Sequence, residues 1–448
     1  MSEITSTKEL KRVLGKKDLL SIAVGQTIGS GIFALLGVGI GMTGKSANIS
    51  MIIAAIFVLL MTVPMILVSG TVRLRGGFYT QLGFLMNKTV AGFYVIVHII
   101  SWMALAMYAL SAADYMIALL VGVNLNKTLL AFLVLTIFYV TNLFGIQGTA
   151  KLQNIMMLCM CVGLTVFICY GLPKVQPGYF VGPDFITDGW HGLFAAGALF
   201  TWAVGGANVI IHLGAEAKNP TKDIPFIIVV ATLIIATFYG LIATVASGVL
   251  PISEVAFKPL SVVASEIFPR PVYVFFIVGG AIFALTTTLN ASFGWVTKPI
   301  LQAAVDGWFP PIVAKIGKKY KAPVTILTLL YLECLIPIFF GVNVSAIADM
   351  AVILTNVCFA LVCFSTINMR KKIPEIWAKS RFNMSDKMVI FWSVVGGLST
   401  IAQNFLLIGI IGWKEVIGNV VLLVLALLYA FLREKSGKVN MEISYEET

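Results

Sequence analysis

The chain has 448 residues, 59% of them hydrophobic and 11% charged, against about 25% charged in soluble domains; this excludes a soluble globular protein. A formal net charge of +11 does not point to nucleic acid, because the basic residues sit in short loops between apolar segments, as membrane topology requires. The six cysteines, Cys159, Cys161, Cys169, Cys334, Cys358 and Cys363, lie inside apolar segments without CxxC spacing, which argues against a disulfide framework or a metal site.

Twelve segments are long and apolar enough to cross the ~30 Å hydrocarbon layer as helices, so the expected fold is an all-α integral membrane protein. Residues 1–18 form a polar N-terminal segment. The apolar run after it is too long for a removable signal peptide and lacks a small-residue cleavage site. The first five spans are expected within 19–171, at about 19–42, 49–72, 90–121, a fourth ending near Gly145 and a fifth starting after Gly148. Between the second and third lies an inner loop rich in charge and glycine, Arg73-Leu74-Arg75-Gly76-Gly77-Phe78-Tyr79. Residues 172–189 carry Pro173, Pro177, Gly178, Gly182 and Pro183 and read as an outer connection without long regular structure.

Spans six to ten are expected within 190–370, at about 190–215, 224–250, 272–297, 324–340 and 345–369, with a short helix around 261–267 in an outer loop. A basic loop at 371–387 precedes spans eleven and twelve within 388–432, and the tail 433–448 is polar and expected to be disordered. With the N-terminus inside, all but six of the 31 basic residues fall on the cytoplasmic side. The exceptions are Lys45, Lys127, Lys174, Lys258, Arg270 and Lys414. This asymmetry predicts a multi-pass protein of the cell membrane with both termini in the cytoplasm.

The first span contains Val24-Gly25-Gln26-Thr27-Ile28-Gly29-Ser30-Gly31-Ile32-Phe33, a density of glycine and polar side chains that an anchor would not need. Gly costs about 1 kcal/mol against Ala within a helix, and unpaired backbone groups are costly in lipid. The sixth span has a counterpart in Val204-Gly205-Gly206-Ala207-Asn208. Glycine-interrupted spans in corresponding positions of two halves mark the binding site of a secondary transporter, and their spacing implies two inverted sets of five.

At such a break the outer half-helix presents free N–H groups and a positive dipole end, suited to a carboxylate. Ser30, Gly31 and Ile32 are the natural donors, with Gly29 in the break itself. The carbonyls of Thr27 and Ile28, and those near Ala203 and Val204 before Gly205, would suit an ammonium or a cation. Together these describe a zwitterion site. The competing account is that the glycines allow close helix packing, since Gly25-xxx-Gly29 fits that pattern.

Intramembrane ionisable residues are functional candidates by default. Glu216 lies where span six leaves the membrane and reads as an inner gate or a structural ion-pair member. Asp114 and Asp349 lie near outer helix ends, where either attraction of a cationic substrate or simple solvation accounts for them. Glu333 lies in span nine. His98 and His212 are hydrogen-bonding core residues or titratable groups near neutral pH.

The stretch Gly25 to Phe33 resembles the first-span signature of the amino acid–polyamine–organocation (APC) permeases. Gly205-Gly206-Ala207-Asn208, continuing through Glu216-Ala217-Lys218-Asn219-Pro220-Thr221-Lys222-Asp223-Ile224-Pro225, resembles their sixth span and its exit. Arg73 to Tyr79 and Asp306-Gly307-Trp308-Phe309-Pro310 are similar to their inner loops. The resemblance covers spans one to ten. It implies the five-plus-five inverted-repeat fold (LeuT-like), with discontinuous helices 1 and 6, two extra C-terminal helices, and transport of amino acids or related amines.

By that resemblance Trp202 closes over the substrate from outside, and Asn208 orients the unwound segment or the substrate. Some relatives carry a lysine in the middle of span five in place of sodium; aligning Lys151-Leu152-Gln153-Asn154 puts Met160 there, against a lysine-based mechanism. Thr286-Thr287-Thr288 and Ser292 place hydroxyls at the depth where sodium-coupled members of this fold bind sodium, and Thr287, Thr288 and Ser292 form the candidate ion site. Such hydroxyls also commonly bond back to their own helix.

The sequence therefore predicts an amino acid permease working by alternating access, with a cationic amino acid or polyamine antiporter of the same fold as the alternative. Expected partners are a small-molecule amino acid, sodium or a proton as coupling ion, and membrane lipid. No cofactor and no nucleic acid are expected, and the state is a monomer or homo-oligomer. An integral membrane enzyme would need a clustered catalytic set, yet His98, His191 and His212 lack HExxH spacing. A channel would need a filter or a ring of pore charges.

Overall fold

A computed structural model describes residues 14–74, 76–120, 124–144, 150–213, 217–317, 320, 322–409, 412–441 and 445–446. In chain order its α-helices are α1 (Lys16–Thr27), α2 (Ser30–Thr43), α3 (Ala47–Ser69), α4 (Phe78–Leu85), α5 (Lys88–Ser101), α6 (Leu105–Leu119), α7 (Lys127–Leu143), α8 (Ala150–Gly171), α9 (Gly189–Val204) and α10 (Pro220–Gly248). They continue as α11 (Ile252–Val255), α12 (Ser261–Ile267), α13 (Arg270–Phe275), α14 (Phe283–Val305), α15 (Val324–Phe339), α16 (Val344–Ser365), α17 (Met369–Lys372), α18 (Pro374–Lys379), α19 (Asp386–Ile408) and α20 (Trp413–Lys435). Among the described residues the only strand pair is two residues long, β1 (Arg73–Leu74) antiparallel to β2 (Tyr445–Glu446).

Nine helical stretches among the described residues are long and apolar enough to cross a membrane, the first of them Lys16–Ser69, which contains α1 to α3. The shorter α7 and α15 are apolar as well. Large hydrophobic side chains face outward along the periphery: on α20, Val420, Val424, Leu427, Leu428 and Phe431 are exposed while Asn419, Ala426 and Ala430 are buried. A soluble protein rarely shows so continuous an apolar exterior; in lipid it is the expected surface.

The interior is organised around α1, α2 and α9. Helices α3 and α10 pack against one another and against α9 or α1, while α5, α6, α14 and α16 complete the core. The first span breaks where its glycines are: α1 ends at Thr27, α2 begins at Ser30, and Ile28 and Gly29 join them. The sixth span does not open into coil. It changes winding, and Gly205–Leu213 continues as nine residues of 3-10 helix, far longer than the three or four residues at which such runs usually stop. A third irregularity has no counterpart in the sequence reading: Phe276–Ile282 is a π-helical stretch between α13 and α14. There Gly163 of α8 lies close to Gly280, a methyl built on Gly163 falling 3.1 Å from the Gly280 Cα.

The helix expected around 261–267 is α12. Within α20, Arg433 donates twice to the Gly307 carbonyl, at 3.0 and 2.8 Å, and Tyr429 donates to the Trp308 carbonyl at 2.6 Å. Of the tail after Arg433, expected to be disordered, the described part continues the helix to Lys435 and is held at Asn440, whose amide donates to the Asp306 carbonyl at 2.8 Å. Tyr79 donates to Asp306 Oδ2 at 2.7 Å, so the two inner-loop motifs bind each other and the tail. Gly145, Gly148 and Arg75 lie outside the described residues.

Candidate functional site

The two interrupted spans meet at their glycines. A methyl group on Gly206 would lie 2.8 Å from the Thr27 Cα and 2.9 Å from its Oγ1. One on Gly31 would lie 2.5 Å from the Ala203 Cβ. Each break therefore rests on the backbone of the other, with no room for a side chain at either contact. Gly29 abuts Thr288 of α14, while Gly25 meets nothing nearer than Met157 Sδ at 3.5 Å. Close packing and helix breakage, which the sequence offers as competing accounts, are both true of this segment.

A cavity of about 100 Å³ opens beside this crossing. Of the residues singled out from sequence, Thr27, Gly31, His98, Trp202, Gly205, Gly206, Asn208 and His212 line it. Ala203 and Val204 are buried against the first span, and Ile28 and Ile32 are buried in the core. The Thr27 carbonyl accepts from the Tyr239 hydroxyl at 2.7 Å and from the Gly29 amide at 3.0 Å. The first-turn N–H groups of α2, from Ser30 to Ile32, lack intrahelical acceptors by helix geometry. Glu216 lies outside the described residues.

Four buried polar atoms on residues lining this cavity have no hydrogen-bond partner among the described residues: Gln26 Oε1, Asn208 Nδ2, His212 Nδ1 and Trp295 Nε1. The other ends of the amides are held. Gln26 Nε2 donates to Ser292 Oγ at 3.2 Å, and Asn208 Oδ1 accepts from Thr62 at 3.2 Å. A buried donor or acceptor left unpaired costs about 1–3 kcal/mol, so four beside one cavity mark a place that a polar ligand would stabilise. His212 is set by the inner-loop motif. Gly77 has φ +61° and its missing side chain would strike the His212 ring, 2.8 Å from Cε1.

The walls are aromatic. Trp102 lies edge-on to Trp295 with centroids 4.6 Å apart and 5.5 Å from Trp202, while His212 stacks on Trp295 at 5.6 Å. Trp202 donates its indole N–H to the Tyr108 hydroxyl at 2.8 Å, which ties α9 to α6 across the cavity. Trp102, Tyr108 and Trp295 were not singled out from sequence. Their only signal was an aromatic with a polar handle inside an apolar span.

The hydroxyls of α14 are partly committed. Thr287 and Thr288 both donate to the Ala284 carbonyl at 3.0 Å, and Ser292 accepts from Gln26. Asp114 is paired with Lys127 at 2.8 Å. Among the described residues, neither Asp114 nor Asp349, nor any other Asp, Glu, Lys or Arg, lines the cavity between the breaks. No group of three or more His, Cys, Asp or Glu among the described residues has a metal-holding arrangement.

Comparison with known proteins agrees with the architecture. The amino acid permease family model matches residues 14–434. The branched-chain amino acid permease BcaP of Bacillus subtilis (strain 168) is 26% identical, the match covering 97% of this chain and 95% of that protein. The methylthioribose transporter of the same organism is 24% identical over 85% of this chain and 86% of its own length. The vacuolar cationic amino acid transporter 2 of Arabidopsis thaliana is 26% identical over 82% of this chain and 61% of its own. An apolar multi-helix bundle, two touching glycine interruptions and a match of this extent lead to one conclusion: the chain belongs to the amino acid permease family of the APC superfamily.

Proposed function

We propose that this protein is a secondary transporter of neutral amino acids with apolar side chains, working by alternating access around the two interrupted spans. The observation that carries this reading is the cavity beside the Gly31–Ala203 and Gly206–Thr27 contacts, where among the described residues four polar atoms lack a partner and no Asp, Glu, Lys or Arg lines the wall. The substrate carboxylate takes the first-turn N–H groups of α2, at Ser30, Gly31 and Ile32, where the helix dipole favours it. Its amino group lies toward the carbonyls of the first break and of Ala203 and Val204, with Asn208 and Gln26 supplying further polar contacts. Met61, Val209, Val352 and Phe359 leave an apolar wall for the side chain.

A cationic amino acid or polyamine would need a carboxylate facing the site, and none lines it; this favours the neutral substrate over the antiporter alternative. Trp202 is the gate, held by Tyr108. The membrane arrangement proposed is twelve crossings, with α1–α2 forming the first and α9 with its 3-10 continuation the sixth, five inverted on five plus two. In this reading it lies in the cell membrane with both termini cytoplasmic, which the uneven distribution of basic residues between its loops supports. Sodium is the ion that Thr287, Thr288 and Ser292 would take, although their present hydrogen bonds weigh against a site formed in advance.

Reconstituted vesicles test the proposal. Saturable uptake and counterflow of leucine, isoleucine, valine or another neutral amino acid are expected, with lysine, putrescine and methylthioribose as poor competitors. Uptake that never saturates, or none across a broad panel of amino acids and amines, overturns it.

A further inference from the structure

The connection between α16 and α19 is short, basic and fixed to the bundle. Residues 370–387 hold six basic side chains, Arg370, Lys371, Lys372, Lys379, Arg381 and Lys387, against two acidic ones, Glu375 and Asp386. All six basic residues are exposed. Of them, only Arg370 has an ion pair among the described residues, with Asp386 at 2.8 Å. That pair ties α17 to the first turn of α19, so Lys371, Lys372 and Lys387 flank it as one patch of uncompensated charge.

The opposite face is apolar and covered. Met369, Ile373 and Trp377, four residues apart along α17 and α18, are buried and cluster with Leu67 and Val68 of α3, Val72 just beyond it and Leu85 of α4. The hydroxyls of Ser380 and Thr71 share a hydrogen bond at 2.8 Å, Asn368 donates to the Leu85 carbonyl at 3.0 Å, and the Phe382 ring fills the space that a side chain at Gly70 would take. The tendency of inner loops to be basic accounts for the charge. It does not account for a platform held at this many points with its lysines turned outward.

The patch continues into a lipid-facing surface. Lys387 stands in the first turn of α19, a helix apolar enough to cross a membrane. Four residues on, and so on the same face, Phe391 is 53% exposed, and Met388 beside it is 44% exposed. Cationic groups within one turn of exposed apolar side chains on a spanning helix match a ligand whose phosphate leads directly into hydrocarbon. A soluble phosphate or an acidic peptide would use the lysines and leave Phe391 uncovered.

We propose that this basic shelf binds an anionic phospholipid of the inner leaflet, with the phosphodiester among Lys371, Lys372 and Lys387 and an acyl chain along Met388 and Phe391. The leaflet rests on the membrane arrangement proposed above; the identity of the transported substrate does not enter.

The test is native mass spectrometry of the purified full chain in detergent, titrated with dioleoylphosphatidylglycerol or with dioleoylphosphatidylcholine, which has the same chains and no net charge. Saturable binding of the phosphatidylglycerol, about tenfold or more tighter than that of the phosphatidylcholine, is expected. Lys387→Gln should weaken it by about fivefold, the change corresponding to about 1 kcal/mol for one basic side chain at an anionic surface. Phe391→Ala should weaken both lipids by the same factor. Lys17→Gln, at an exposed lysine in the first turn of α1, should change nothing, and sn-glycerol 3-phosphate at equal concentration should not displace the lipid. Equal affinity for the two lipids, equal losses in Lys387→Gln and Lys17→Gln, unchanged affinity in Phe391→Ala, or displacement by sn-glycerol 3-phosphate overturns the proposal. The three substitutions are at exposed positions, where replacement costs little stability. Binding in detergent depends neither on which way the chain faces nor on amino acid uptake, so this inference and the transport reading fail separately.

Discussion

The two interrupted spans solve one problem in different ways. In the first, α1 stops at Thr27 and α2 restarts at Ser30, so a helix N-terminus with free donors is created inside the bundle. In the second, α9 passes at Gly205 into 3-10 helix that runs to Leu213, so the backbone stays wound while its side chains turn to a new face. The first presents backbone; the second presents Asn208 and His212. A ligand with a charged end and a polar middle can use both, and neither interruption alone would form such a site. Glycine serves a packing purpose in both, because Gly206 rests on Thr27 and Gly31 on Ala203.

The largest effect should come from filling that contact. Gly206→Val would push a side chain into the Thr27 backbone, and overpacking of this kind typically costs about 1–3 kcal/mol or more. A lower apparent melting temperature and loss of a single size-exclusion peak are expected, whereas Gly25→Ala, with its nearest neighbour at 3.5 Å, should behave as the parent. If both variants were equally stable, the mutual support of the two breaks would be disproved.

Next come the polar atoms of the cavity. Asn208→Ala and Gln26→Ala should each raise the KM for uptake by about tenfold, equivalent to about 1.4 kcal/mol, with only a small change in melting temperature, since loss of the hydrogen bond to Thr62 or Ser292 is offset by removal of an unpaired buried atom. Equal loss of stability and affinity would make them packing residues.

Smaller still is the effect of the Trp202–Tyr108 contact. Trp202→Phe and Tyr108→Phe each remove the 2.8 Å hydrogen bond, worth about 0.5–1.5 kcal/mol, and should change exchange rates by about two- to tenfold. The double variant should match the single ones, as expected of partners in one bond; additive effects would separate the two side chains. The least effect is expected from replacing sodium with choline, about twofold or less, because the Thr287 and Thr288 protons are bound within α14 and Ser292 is bound to Gln26. A large sodium dependence that disappears in Thr288→Val would instead assign those hydroxyls to an ion.

Composition and run length determined that the chain is helical and built for lipid, because a helix with no polar face has no other solvent. The same reading placed both interruptions at their glycines, since Gly is the residue whose presence inside a span most needs a reason. Sequence could not assign Trp102, Tyr108 and Trp295 to one box, because they come from elements distant in the chain and hydropathy does not separate a lipid-facing side from a protein-facing one. Nor could it see that Asp349 Oδ1 is buried without a hydrogen-bond partner among the described residues, a property of what packs around it. The described part of the tail was misread for a related reason: the partner of Asn440 is the carbonyl of Asp306, a backbone group whose availability no side-chain pattern records. Tertiary structure decided which polar atoms lack a partner among the described residues, because burial and pairing depend on what packs across the two interruptions, and the proposed site rests on those atoms.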